Sequence, residues 1–168
     1  MLIRCVHGDI RSVRADMAVV NLFEGTKRPA GATAALDAAI AHPARPPQDR
    51  ERDAWRHPRQ TLLFFGLRPD MTVVEISPAN GWYTEIIAPV LKQQGRYHAA
   101  VPVLTEDMPE AMKRRDAIYR QMLKAAPDLY GEPTITAYDP ADPVFAPAGS
   151  ADLVLTFRNV HNWAKAGH

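Results

Sequence analysis

An α/β sandwich with a mostly parallel sheet is the fold class this sequence predicts, on three observations. From residue 72 onward, strand-length apolar runs alternate with helical patterns: strand 72–77, helix about 82–94, strand 95–103, helix 107–126, then strands at 134–138 and 152–160. The strands are nearly continuous in apolar residues, the pattern of strands covered by helices on both faces. Right-handed crossovers then place 97–103 and 134–138 on one side of 72–77, and 152–160 on the other. The predicted result is a three-layer sandwich with a topological switch point at the carboxyl end of strand 72–77.

The elements follow from local chemistry. "LIRCV" and "ADMAVVNLF" read as short β-runs, and "GATAALDAAIA" as an alanine-rich helix. Residues 42–53, "HPARPPQDRERD", hold three prolines, several charges and almost nothing apolar, and read as a linker or surface crossing. Pro58 opens a fresh helical turn, because proline is tolerated at a helix start and not in its interior. Leu62, Leu63, Phe64 and Phe65 are expected to form its buried face and Gly66 to end it. In the helix after strand 72–77, Ile86, Ile87, Val90 and Leu91 share a face, and Pro89 is expected to bend it. For 107–126 the pattern points Met108, Met112, Ile118, Met122 and Leu123 inward, and Asp107 and Glu110 have capping-box spacing.

Composition narrows the function classes. The chain of 168 residues suits one domain, at 46% hydrophobic and 23% charged. A net charge of +1 gives no electrostatic argument for nucleic acid or an anionic membrane, and neither is expected as a partner. No apolar run approaches a membrane span, and the start lacks the layout of a secretion signal, so a cytoplasmic location is the default expectation. Cys5 is the only cysteine, which excludes an internal disulfide and a multi-cysteine zinc site. His161 and His168 do not have a recognised zinc spacing, and no metal is expected.

The stretch "TVVEISPANGWYTEIIAPVL", 72–91, is a strand, a tight turn and a helix at the predicted switch point. The free N–H groups of the first helical turn, near Trp82, Tyr83 and Thr84, can hold a carboxylate or phosphate. Gly81 lets the backbone approach a ligand, Pro78 stiffens the turn, and Asn80 tolerates a left-handed conformation. Any strand–helix turn draws on the same residue types, so the turn alone leaves ligand binding and plain turn chemistry both open.

Two longer stretches, "RHPRQTLLFFGLRPDMTVVEISPANGWYTEIIAPVL" and "SADLVLTFRNVHNW", resemble a family of predicted class I S-adenosylmethionine-dependent methyltransferases. The resemblance runs from about residue 36 to the end and implies a Rossmann-like domain at 54–168. In that family the turn commonly reads P-G-G-G-W-Y-T. Here it is Pro78-Ala79-Asn80-Gly81-Trp82-Tyr83-Thr84, which implies that Glu75, Pro78, Asn80, Gly81, Trp82, Tyr83 and Thr84 form the cofactor turn, with Ala79 adding a methyl group. Such enzymes usually carry an acidic residue at the end of the second strand. Here none occurs until Glu106, whose plainer role is helix-start chemistry with Asp107. Asp139 resembles the acidic position that meets the adenine amine, and it also suits a turn in "YDPADP". Asn159 and His161, in "FRNVHNW", fall where methyl transfer would occur. There His161 could take a proton from the acceptor, or simply hydrogen-bond in a loop. Arg158 and Trp163 either shape a substrate pocket or pack. The resemblance implies S-adenosylmethionine as cofactor and a small-molecule acceptor, which the sequence does not identify.

The opening tells a different story. "GDIRSVRADMAVVNLFEGTKRPAGATAALDAAI" resembles the start of the N-terminal, macrodomain-like domain of leucyl aminopeptidases, over about 38 residues. That family's metal ligands and catalytic residues lie in another domain and have no counterpart here. The expected organisation is a fusion: a β-β-α segment at 1–41, the Pro-rich linker at 42–53 and the methyltransferase-like body. The body resembles a truncated, incomplete version of its family, with about three later strands missing. Strand 152–160 would then have an open edge, to be covered by a strand at 2–6 or 17–23 or by a second copy in a homodimer. The expected function is S-adenosylmethionine binding with methyl transfer. The alternatives are a non-catalytic, partner-binding or self-associating module and, more weakly, an aminopeptidase-related fragment.

Overall fold

The computed structural model describes residues 30–166. Cys5, His168 and the expected strands at 2–6 and 17–23 lie outside the described residues. Within them the order is α1 (Ala30–Ile40), α2 (Pro47–Glu51), α3 (Asp53–Arg56), α4 (Pro58–Phe64), β1 (Thr72–Ile76), α5 (Thr84–Leu91), β2 (Arg96–Pro102), α6 (Glu110–Ala125), α7 (Pro127–Tyr130), β3 (Thr134–Tyr138), β4 (Leu153–Thr156) and α8 (Val160–Ala166). The four strands form one sheet in the order β3-β2-β1-β4, parallel throughout, and helices flank it. The α/β class and the switch point expected from sequence are therefore present.

Strand alternation divides the core in two. On one face Val73, Tyr97, Ala99, Val101, Leu153 and Leu155 pack against Leu36, Leu62, Ile86, Ile87, Leu91, Tyr119, Leu123 and Tyr130, from the helices α1 and α4 to α7. On the other, Val74, Ile76, Ala100 and Tyr138 are covered by Phe145, Ala146 and Ala151 and by Trp163 of α8. Register brings Val73 level with Tyr97 and Leu153, and Ile76 level with Ala100 and Thr156. Below them, Thr72 and Asp152 clamp the amino ends: the Thr72 N–H donates to the Asp152 carboxylate at 2.7 Å, and the Asp152 N–H to the Thr72 carbonyl at 2.9 Å.

Local signals explain most element ends. Pro58 is the first residue of α4, where its missing N–H has no helical partner to lose. Gly66 ends α4 at φ 74, with its own N–H on the Leu63 carbonyl and the Leu67 N–H on the Leu62 carbonyl, a Schellman arrangement. Pro89 does lie inside α5.

Several expectations need correction. Four consecutive residues cannot share one helix face, and Phe64 turns out 57% exposed while Leu62 is fully buried. The helix after β1 begins at Thr84, with Trp82 and Tyr83 still in the turn, and ends at Leu91. Helix α6 begins at Glu110 with Pro109 as its N-cap, so the Asp107 capping box does not form. Its inward residues are Tyr119, Met122 and Leu123, while Met112 and Ile118 point to solvent. The last strand stops at Thr156, because Phe157–Asn159 turn the chain into α8. Residues 42–53, expected as a linker, contain α2 and the start of α3, tied down by a buried arginine, Arg45.

Candidate functional site

The turn from Ser77 to Tyr83 leaves the carboxyl end of β1, beside the place where the strand order reverses between β1 and β4. Its backbone is unusual. Ser77, Ala79 and Gly81 have φ of 52, 56 and 81, so alternate residues sit in the left-handed region. Pro78 has no N–H, and the N–H groups of Ser77 and Gly81 are bonded to the carbonyls of Ala100 and Pro78 at 2.8 and 2.9 Å, so within this stretch the amides of Ala79 and Asn80 are the ones left to face an anion. Only Gly81 is a residue that adopts the left-handed conformation without strain. Asn80, which tolerates a left-handed conformation, does not adopt one; it lies between two such positions and is itself exposed. Pro78 is buried and accepts the Gly81 N–H at 2.9 Å, closing the turn.

Gly81 has a packing role. A Cβ built there would lie 2.7 Å from Met122 Cε and 3.1 Å from two ring atoms of Tyr119. Helix α6 therefore fills the space that was expected to admit a ligand. Such a glycine permits close approach of neighbouring elements. The open side of the turn is at Ala79 and Asn80, both exposed.

Glu75, Thr84, Tyr97 and Tyr119 form a buried polar cluster under the turn. Glu75 Oε2 accepts from the Tyr97 hydroxyl at 2.6 Å and from the Thr84 hydroxyl at 3.0 Å. Thr84 Oγ1 also lies 2.8 Å from the Tyr97 hydroxyl and 3.3 Å from that of Tyr119. Burial pushes the Glu75 carboxyl up to about 7, against the opposing pull of its two hydroxyl donors. Burial, then the charge of Glu75, raises Tyr97 and Tyr119. Two hydroxyls thus converge on one oxygen of this carboxyl group, and Tyr119 joins the cluster through Thr84 and Tyr97.

Trp82 is anchored away from the turn's mouth. Its indole N–H donates to the Asp49 carbonyl at 2.9 Å, and its ring lies under the guanidinium groups of Arg45 at 5.5 Å and Arg56 at 4.6 Å. Arg45 is 1% exposed; it binds Asp53 with both terminal nitrogens, at 2.8 and 2.9 Å, and Nε lies 3.6 Å from Glu85 Oε2. These last two atoms are buried and have no hydrogen-bond partner. Burial, then the charge of Asp49, pushes Glu85 up to about 7, with Arg45 pulling the other way.

At the opposite lip, the Asn159 amide donates to the carbonyls of Ile76 and Ser77 at 3.2 and 3.1 Å and contacts the Thr156 hydroxyl at 2.9 Å. Asn159 thereby ties the end of β4 to the end of β1, and its donors are committed. His161, two residues on in α8, is exposed, and among the described residues its side chain makes no hydrogen bond or ion pair. Ser77 Oγ and the Tyr138 hydroxyl share a hydrogen bond of 2.7 Å, joining β1 to β3 across β2. Asp139 accepts the Ala141 N–H at 2.8 Å, the geometry of a turn residue. Glu106 is exposed, with its carbonyl accepting from Lys113. Tyr83 stacks on Phe157 with centroids 3.4 Å apart, placing an aromatic ledge between the turn and β4.

Sequence reasoning named Tyr83 for its backbone, and missed Tyr138, Phe157 and Arg56. The signal for Tyr138 and Phe157 is positional, since one ends β3 and the other follows β4, while Arg56 ends the short helix α3 and carries no such signal. A cavity of about 590 Å³ lies at the amino ends, between α1, α5 and α7, lined by Ala35, His42, Asp70, Val90, Lys92 and Leu129 among others. Another of about 580 Å³ runs along the outer face of α6. Neither reaches the turn after β1, which opens directly to solvent at Ala79. Among the described residues no group of His, Cys, Asp or Glu is arranged to hold a metal ion, and no helix is long and apolar enough to cross a membrane. No protein-family model, curated protein or solved structure matches this chain.

Proposed function

We propose that the chain binds S-adenosylmethionine at the turn after β1 and uses it for methyl transfer to a small acceptor. The observation that carries this reading is the left-handed backbone at Ser77, Ala79 and Gly81, at the switch point of an all-parallel sheet. This backbone leaves the amides of Ala79 and Asn80 without a carbonyl partner, and the first turn of α5 adds its own. The cofactor's amino-acid carboxylate suits the open side at Ala79 and Asn80, since Gly81 faces α6.

When bound, the sulfonium supplies an electrophilic methyl group. The residues of the chain have supporting tasks. Ser77–Asn80 and the amides of Trp82–Thr84 bind and orient, which supplies most of the rate in a direct displacement. Asn159 is a positioning residue, locking the two lips together. His161, at the same lip and exposed on α8, takes the acceptor's proton. Asp139 remains a turn residue beside the adenine side of the crevice.

Calorimetric titration with S-adenosylhomocysteine tests the reading. The expected result is a micromolar dissociation constant, weakened about tenfold in Ala79→Asp by charge repulsion and little changed in Ala79→Asn. Both replacements tolerate the left-handed backbone, so folding does not confuse the comparison. No heat at millimolar ligand overturns it.

A second reading is favoured by β4, which among the described residues pairs only with β1 and leaves its other edge unpaired. Under that reading the chain is a self-associating module without catalysis. Sedimentation of a dimer, together with a blank calorimetric trace, is its expected signature.

A further inference from the structure

Helix α6 has two apolar sides, and the core uses one of them. Tyr119 and Leu123 are buried in the main core, and Met122 packs against Gly81 at its edge. The other side faces out. There Arg114, Ala117, Ile118, Gln121, Met122 and Ala125 line the hollow of about 580 Å³. Ile118, within it, is 60% exposed. Ala111, Arg115, Ile118, Met122 and Ala125 follow one another at alternating intervals of four and three residues, the spacing at which one helix receives another.

The charge on this helix is one-sided. It carries five basic side chains against two acidic ones. Both acids are engaged on the helix itself, Glu110 by Lys113 at 2.9 Å and Asp116 by Arg120 at 2.7 Å. Arg114, Arg115 and Lys124 are the excess, all three exposed and, among the described residues, outside any ion pair. Their positions follow from helix geometry. Arg114 lines the hollow, Arg115 lies one turn before Ile118, and Lys124 lies one turn after Gln121.

This charge selects the occupant. A second copy of α6 would bring like cations face to face, which Coulomb repulsion disfavours. A bilayer takes up an amphipathic helix through large apolar side chains, and here Ile118 and Met122 are the large ones in the seam. A helix with apolar side chains at the same spacing and carboxylates beside them meets both features. Its apolar residues cover Ile118 and Met122, and its carboxylates face Arg114, Arg115 and Lys124.

We infer that the outer face of α6 is a docking surface for an acidic amphipathic helix of another protein. This surface is independent of the cofactor reading, since no atom of the turn's open side takes part in it.

Fluorescence anisotropy on the full chain at low ionic strength tests it. The probe is a labelled helical peptide with leucine at heptad positions a and d and glutamate at e and g; its counterpart carries lysine in place of each glutamate. Expected is saturable, micromolar binding of the glutamate peptide, weakened about tenfold in Ile118→Gln and in Arg114→Glu with Arg115→Glu, and further weakened by salt. The lysine peptide is expected not to bind. Val144→Ser, at an exposed residue of the crossover on the opposite face of the sheet, should leave binding unchanged. Glutamine sustains a helix and Ile118 is largely exposed, so an unaltered urea midpoint in Ile118→Gln separates lost docking from lost folding. No saturable binding of the glutamate peptide, equal binding of the lysine peptide, or indifference to Ile118→Gln overturns the inference. Sedimentation of a dimer abolished by Ile118→Gln would instead make the occupant a second copy. Binding to phosphatidylserine vesicles without binding to the peptide would make it a membrane, and either result overturns the proposal as well.

Discussion

Glu75 sits at the end of a buried strand with two hydroxyl groups as its hydrogen-bond donors, and its folded-state value of about 7 lies above the unfolded 4.5. A carboxyl group so raised binds its proton more tightly in the folded chain. Its stabilising effect is complete below the unfolded value and is lost as pH rises through about 7. Glu85 acts in the same direction and window. The urea midpoint is therefore expected to rise as pH falls from about 8 to about 5, and Glu75→Gln should remove on the order of 2 kcal/mol of that difference. A midpoint flat over this range would contradict the burial argument. Ala79 presents the other residue-scale prediction. At φ 56 and exposed, it carries left-handed strain with no packing to justify it. Ala79→Gly should stabilise the fold by about 0.5–1 kcal/mol in urea denaturation, the relief of strain exceeding the added freedom of the unfolded chain.

At the scale of elements, the short helices α2 and α3 hold their places through side chains, since five and four residues cannot sustain a helix alone. Arg45 is the bolt: it joins α1 through the Ile40 carbonyl, α3 through Asp53 and α5 through Glu85. Removing it leaves the buried Glu85 and the half-buried Asp53 without their cation. Arg45→Met is expected to cost roughly 3–5 kcal/mol near pH 8, and less near pH 5 where Glu85 is neutral. Urea denaturation followed by tryptophan fluorescence measures both, because Trp82 lies against this guanidinium. Helix α6 meets the turn through Tyr119 and Met122, so Gly81→Ala is expected to destabilise by about 1–3 kcal/mol, from crowding and from φ 81 together. An unchanged midpoint would mean that α6 yields freely.

For the whole molecule, the exposed apolar surface is uneven. Val154 of β4 is 37% exposed, and the β3–β4 crossover covers its face of the sheet with Phe145 and Ala146 where a helix would ordinarily lie. A parallel edge strand of this composition is a template for another strand. Under the self-association reading, every amide from Leu153 to Thr156 should exchange slowly, including those facing away from β1. Rapid exchange at the outward-facing ones in a sedimenting monomer would count against it.

How much was legible depends on the range of the interactions involved. The strand and helix pattern after residue 72 was readable because apolar runs and their spacing are local, and the strand order followed from the hand of crossovers. Pro58 and Gly66 marked α4 because their backbone limits travel with them in any fold. Tertiary structure alone decided that Gly81 serves α6, that Arg45 is a core residue inside a polar, proline-rich stretch, and that Asn159 is committed to the β1 carbonyls. Each of these depends on partners between 8 and 83 residues away in sequence, as for Arg45–Asp53 and Asn159–Ile76. Which side of a turn faces solvent, and which charge finds its counter-ion, are properties of the assembled chain because burial and Coulomb energy depend on distance in space.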